Sequence, residues 1–282
     1  MTYLFLIITV ICSSLSNIFA KQYDIKAKYK NTYLYVAVMQ IFAMMFFIVT
    51  SAGSFSPKPG LIGYSVAFSL FFTMAIVGNN QAIKYGSLAV SSLIVQCSLL
   101  LPTLYGIIFL KDNIGVYGYM GIMLLLISLF MVNKTEKNIK VSSKWLFWII
   151  AAFIGNGMCS IVQKIQQTVF DGACLYDFMI VALGIGAVFM SCTAMIKSKN
   201  LKRELCDAIK IAPFCGVANG SVNMLVMVLT ALLPTAVLFP VISSGGMVMT
   251  FIFSVTLFKE KLTKRQYAGY LLGVISIILI NL

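Results

Sequence analysis

A chain that carries one long apolar stretch twice must build the same local structure twice. Here Pro234–Asn281 matches Gly86–Asn133 without a gap, 148 positions on. At that offset Ile94 meets Ile242, Lys111–Asp112 meets Lys259–Glu260, Tyr119 meets Tyr267, Gly121 meets Gly269, Ser128 meets Ser276 and Asn133 meets Asn281. Both copies are too apolar for water. Hydrophobic residues make up 60% of the chain and charged residues 10%, where a soluble domain carries about 25% charged. The apolar runs reach 18 to 22 residues, and a helix needs about 20 to cross the hydrocarbon layer. The bilayer therefore takes the place of a water-excluded core.

Ten such spans are expected, near 2–20, 33–52, 61–82, 87–109, 114–132, 145–165, 176–196, 210–229, 235–257 and 265–281. Helices are the economical choice, since an open strand edge in lipid leaves backbone groups unpaired. The first span lacks a basic n-region and a small-residue cleavage site, so it reads as retained. Leu4–Ile8 resembles Leu146–Ile150, where the second half begins. Gly86 and Pro234 occupy matching positions, separating the third span from the fourth and the eighth from the ninth. Two five-helix units result, 1–138 and 139–282. A unit with an odd number of crossings starts and ends on opposite sides, so its copy sits upside down. The expected fold is an all-α integral membrane bundle of ten transmembrane helices in a 5+5 inverted-topology repeat.

The formal charge of +13 is not a nucleic-acid signature, because the Lys and Arg residues sit in short connections between apolar spans. Eighteen of the 21 basic residues follow odd-numbered spans, and only Lys58, Lys111 and Lys164 follow even-numbered ones. That bias puts the odd connections in the cytoplasm and both termini outside. There is no His, and the seven Cys form no CxxC, so they read as small apolar fillers. The sequence has no Gly-rich phosphate loop, metal-ligand spacing or nucleophile–base pair. An ATP motor, a cofactor and an enzyme's active site are therefore not expected.

The segment Phe239-Pro240-Val241-Ile242-Ser243-Ser244-Gly245-Gly246 is followed by Leu257-Phe258-Lys259-Glu260-Lys261-Leu262, then by Gly269 and Gly273. It resembles the helix-nine-to-ten signature of the drug/metabolite transporter superfamily, in its ten-helix EamA-like branch. Phe109-Leu110-Lys111-Asp112-Asn113-Ile114 is a weaker copy, and Ala82-Ile83-Lys84-Tyr85 is similar to that family's helix-three ending. The resemblance covers nearly the whole chain. It implies a 5+5 inverted repeat that moves small organic solutes: amino acids, metabolites, sugars, nucleotide conjugates or drugs. It also implies both termini in the cytoplasm, the reverse of what the basic residues indicate. The setting is a cell membrane crossed many times, that of the bacterial cytoplasm.

The spans contain almost no ionisable residue. The superfamily's four-helix relatives exchange protons for cationic drugs with a carboxylate in helix one. Here that helix offers Ser13, Ser14, Ser16 and Asn17, and its mate offers Asn156 and Ser160, so the scheme does not transfer. Asp177, where span seven begins, is the one acid near the membrane boundary and the candidate for coupling, against a solvated helix cap. Neutral polarity remains. Asn17, Asn79, Asn80, Gln81 and Gln96 form one set; Asn156, Gln163, Asn219, Asn223, Ser243 and Ser244 form the second. Amides are costly in lipid and should face the bundle or a wet cavity. The bland alternative is that each bonds one helix to another, worth about 0.6 kcal/mol. As a set they occupy spans one and six, three and eight, four and nine, which in the family surround a central cavity. The clustered glycines serve close helix approach, with Gly245 and Gly246 the candidate hinge.

These observations point to a secondary transporter of a small polar organic solute, bound between the halves and released by alternating access. Its partners are that small-molecule substrate and the lipid bilayer; nucleic acid is excluded and a homodimer stays open. Multidrug efflux is the rival within the class, since sixteen Met and many Phe suit an adaptable apolar pocket. A membrane enzyme acting on lipids needs an acid, base or metal that the spans lack.

Overall fold

A computed structural model describes residues 2–53, 55–86, 88–112, 115–133, 142–256 and 263–280. The expected boundary at 138/139 and the pair Lys259–Glu260 lie outside them. Among the described residues there is no strand. The helices are α1 (Thr2–Lys26), α2 (Thr32–Thr50), α3 (Leu61–Tyr85), α4 (Leu88–Cys97), α5 (Leu100–Phe109), α6 (Val116–Asn133), α7 (Ser143–Val169), α8 (Leu175–Lys197), α9 (Leu201–Ile209), α10 (Ala212–Leu232), α11 (Thr235–Thr256) and α12 (Lys264–Ile280). Six of them, α1, α2, α3, α7, α8 and α10, are long and apolar enough to cross a bilayer. Shorter apolar stretches lie in α4–α5, α6, α11 and α12. Large apolar side chains cover the outside, with Ile196 84% and Val49 77% exposed. Such a surface belongs in lipid and not in water.

Two features depart from the reading by spans. The stretch expected as one helix over 87–109 is interrupted at Ser98–Leu99. Pro102 accounts for this: it has no N–H to give the carbonyl of Ser98, and its ring crowds that carbonyl. The Ser98 carbonyl turns to the N–H of Leu101 at 3.0 Å, and Pro102 falls in the first turn of α5, where a missing donor costs nothing. The position matching Pro102 in the second half is Thr250, and α11 runs through it unbroken. The second departure is α9, which lies where only a basic connection was expected. Asn200 caps it, its Oδ1 accepting from the N–H of Arg203 at 3.4 Å. Leu201, Leu205 and Ile209 recur every fourth position and stay exposed, as on a helix lying along a membrane surface.

In chain order α1 corresponds to α7, α2 to α8, α3 to α10, α4–α5 to α11 and α6 to α12. The most extensive pairings are α3 with α7, α6 with α12, α2 with α8 and α1 with α10. Exchanging the halves turns α1–α10 into α7–α3 and returns the other two pairs to themselves. The pair α2–α8 runs antiparallel. Tyr33 Oη meets Lys197 Nζ at 2.9 Å, Gln40 faces Gly186, and the Phe47 and Tyr176 rings lie 6.5 Å apart. Tyr35, Phe47, Phe68, Phe178, Met179 and Met227 share the main core cluster, and Leu99, Leu238, Phe239 and Ile242 belong to a second around α11.

Glycine lets α3 and α7 touch backbone to backbone. A Cβ on Gly78 would lie 2.8 Å from the Ala152 nitrogen, and one on Gly155 would lie 2.6 Å from the Ala75 nitrogen. At one end of the bundle the α1–α2 link is tied to α9 across the two halves. Glu204 Oε2 accepts from Asn31 Nδ2 at 2.7 Å, and Asp207 Oδ2 accepts from the N–H groups of Lys28 and Tyr29 at 3.1 and 3.0 Å. Near the start of α11 the halves meet again, where Asp112 Oδ2 accepts from the N–H of Ala236 at 3.0 Å.

Candidate functional site

The seven helices α1, α2, α3, α4, α7, α10 and α11 leave a cavity of about 130 Å³ between them. Each contributes the stripe that helical periodicity predicts. From α1 come Ser13, Ser16, Asn17 and Ala20; from α7 come Asn156, Cys159, Ser160 and Gln163; from α10 come Cys215, Asn219, Val222, Asn223 and Val226. The α3 wall is Phe72, Ala75, Ile76, Asn79 and Asn80, and Gln96 faces it from α4. No Asp, Glu, Lys or Arg is among these lining residues. Lys164, next to Gln163 on α7, is engaged elsewhere: its Nζ donates to the carbonyl of Thr230 at 2.9 Å.

The amides form two clusters, one within each half. In the first, Asn79 Nδ2 on α3 donates to Asn17 Oδ1 on α1 at 3.3 Å. In the second, Gln163 Nε2 on α7 donates to Asn223 Oδ1 on α10 at 2.9 Å. Asn223 Nδ2 then donates to Asn219 Oδ1 at 2.8 Å and to its carbonyl at 2.9 Å. These are corresponding helix pairs, so each half ties its first helix to its third with side-chain amides at the cavity wall. Asn156 Nδ2 donates to Ser98 Oγ at 2.7 Å and holds the interruption between α4 and α5 against α7.

Asn17, Asn79, Asn80, Gln96, Asn156, Asn219 and Asn223, singled out from the sequence, all line this one space. Gln81, Ser243 and Ser244 do not. Ser243 Oγ donates to the carbonyl of Gln96 at 2.8 Å, and Ser244 Oγ to that of Pro240 at 2.8 Å, so both spend their hydroxyls on helix packing. Gly245 and Gly246 lie in the continuous part of α11. A Cβ there would run into Val10 and into Gln96, so their smallness serves close contact. The interruption of the first half, Ser98–Leu99, matches Gly246 and Met247 instead. Asp177 sits in the first turn of α8, outside the cavity, its Oδ1 accepting from the N–H of Ser56 at 3.2 Å.

Sequence reading passed over Tyr35, Cys159 and Cys215 as cavity residues. Cys215 reads from the sequence as a small apolar filler, yet it stands four before Asn219 and eight before Asn223, on the same helix face. Its Sγ lies 3.3 Å from Ser16 Oγ, joining α10 to α1.

A model of the EamA-like transporter family matches residues 1–134 and again residues 143–282. No curated protein matches the chain. A crystal structure described only as that of a protein resembles it with a TM-score of 0.64 at 11% identity, covering 97% of this chain and 98% of the other. That likeness concerns the fold.

Proposed function

Because the chain belongs to the EamA-like transporter family, with both halves matched, we propose that this multi-pass membrane protein is a secondary transporter of a small polar organic solute. The observation that carries the reading is the uncharged, amide-lined cavity built by helices of both halves. Amides stranded in lipid are costly; gathered around one chamber they offer donors and acceptors to a solute that has left water. We read the six long helices, together with α4–α5, α6, α11 and α12, as ten crossings. The antiparallel course of α2 and its counterpart α8 supports an inverted repeat, since an axis along the membrane normal would leave counterparts parallel. Rocking of one set of helices against the other would then expose the cavity to each side in turn. The interruption at Ser98–Leu99, beside the cavity, breaks the helical ladder and is a natural place for a bend, as is Pro240 inside α11.

Purified protein in liposomes, offered a cell extract, is expected to accumulate or release a defined small solute. A lumen indistinguishable from that of protein-free liposomes would remove transport as the function. The amides of the lining favour a polar solute over broad drug efflux.

The basic residues of the α1–α2 link and those around α9 gather at one end of the bundle, where Lys197 reaches Tyr33 and Arg203 Nη1 reaches Tyr29 Oη at 2.9 Å. We place that end in the cytoplasm, with both termini opposite. A reporter active only in the cytoplasm is therefore expected to stay silent when fused after Leu282, and its activity there would invert the orientation.

A further inference from the structure

We propose that the cavity takes an uncharged solute through a carboxamide-like edge, one donor beside one acceptor, and that Asn79 and Asn80 of the first half read it while the amides of the second half brace the helices. The inference rests on reading the cavity as a transport site and goes on to say what occupies it.

The two amide clusters correspond in position but not in completeness. In the second half Gln163, Asn223 and Asn219 are joined by bonds of 2.8 to 2.9 Å. In the first half a single 3.3 Å bond joins Asn79 to Asn17. Among the described residues Asn79 Oδ1 and Asn80 Nδ2 are buried without a partner, as is the Tyr35 hydroxyl of the same lining, and Asn79 is only 9% exposed. Buried polar atoms are nearly always paired, so a free acceptor and a free donor on neighbouring residues of a cavity wall call for a ligand that supplies both partners.

The chemistry of that ligand follows from what the wall lacks. A carboxylate only accepts, so it would satisfy Asn80 Nδ2 and leave Asn79 Oδ1 facing another oxygen. An ammonium only donates and fails in the opposite sense. A zwitterion would have to shed water from two charges where the lining holds no ion to pair with either. A primary carboxamide carries an N–H donor and a C=O acceptor on one edge and offers a partner to each kind of atom without charge.

Four compounds of nearly equal size separate the cases: lactamide (neutral), lactate (anion), alanine (zwitterion) and alaninamide (cation). Binding is read from the shift in melting temperature of the purified protein, and flux from liposomes containing it, against protein-free liposomes. Lactamide is expected to bind and to move, with the other three at background. Asn80→Leu, and the milder Asn80→Ser, should weaken lactamide binding about tenfold or more, a factor worth about 1.4 kcal/mol, without lowering the melting temperature of the unliganded protein. Asn223→Leu should lower that melting temperature, because it strands Gln163 and Asn219. Preference for the zwitterion, the anion or the cation leaves the transport reading standing and overturns the class of solute. Binding of lactamide without flux leaves the class standing and overturns the transport reading. A protein that responds to none of the four, lactamide binding that survives both Asn80 variants, or an Asn223→Leu protein as stable as the parent overturns the inference.

Discussion

Gly155→Ala should cost the folded protein about 1–3 kcal/mol, the usual range for forcing a methyl group into a packed interior. The upper part of that range applies because the obstacle is main chain. The added Cβ would sit 2.6 Å from the Ala75 nitrogen and 2.7 Å from the Phe71 carbonyl oxygen, and neither can swing aside as a side-chain end can. The helices α3 and α7 would have to part along their whole contact. Gly63→Ala on the same α3 is the matched control. A Cβ there meets nothing within 4 Å, and alanine is the better helix former by about 1 kcal/mol. Melting in mild detergent should therefore fall for Gly155→Ala and hold or rise for Gly63→Ala. Equal melting of the two would mean that the α3–α7 contact is not the tight joint described. The change should also reach the cavity, since Asn79 and Asn80 on α3 face it together with Asn156, the neighbour of Gly155. Transport should fall further than the amount of folded protein does.

What was legible in the sequence follows from period and polarity. Seven amides scattered over five helices converge on one chamber because each is the rare polar member of an apolar span, and lipid leaves such a residue nowhere else to point. The interruption of the fourth span was equally present in Pro102 but hidden by reading the run as a single crossing. Its counterpart Thr250 carries no such signal, and α11 continues through it. Ser243 and Ser244 were misplaced because a hydroxyl, unlike an amide, can satisfy itself on a carbonyl of its own helix or a neighbouring one. Ser244 does so on Pro240. The sequence reads α9 as a connection because its stripe of large apolar residues is only three long, spaced at four, amid charges. The division between a complete and an incomplete amide cluster lies in distances between helices, and no spacing along the chain contains it.

Removing the Glu204 carboxylate should loosen the end of the bundle where the halves are tied, and acid should do the same only far below neutrality. Burial by itself would raise the pKa of Glu204. Bonds from Asn31 Nδ2 and from the N–H groups of Lys199 and Asn200 more than offset this and hold it below its ordinary value. Asp207 is likewise lowered, first by its bond to Lys210 and then by the N–H of Tyr29. A carboxylate whose folded pKa is depressed contributes stability above its unfolded pKa, near 4, and loses it as pH falls through the lower folded value. The tie is therefore intact at pH 7 and unchanged to about pH 5, so protons in the physiological range do not open this end through Glu204. Hydrogen bonds to a charged group are worth about 1.5–3 kcal/mol. Taking about 2 kcal/mol for Glu204→Ala, the N–H groups of Lys199, Asn200 and Leu34 should exchange with deuterium roughly thirtyfold faster. Asn31→Ala should loosen the same segments, and the double variant should fall short of the sum because the two share one contact. Exchange at residues 27–35 and 197–210 that is indifferent to Glu204→Ala, or that quickens between pH 7 and pH 5.5 beyond the intrinsic rate, would show that this end is held by something other than the carboxylate tie.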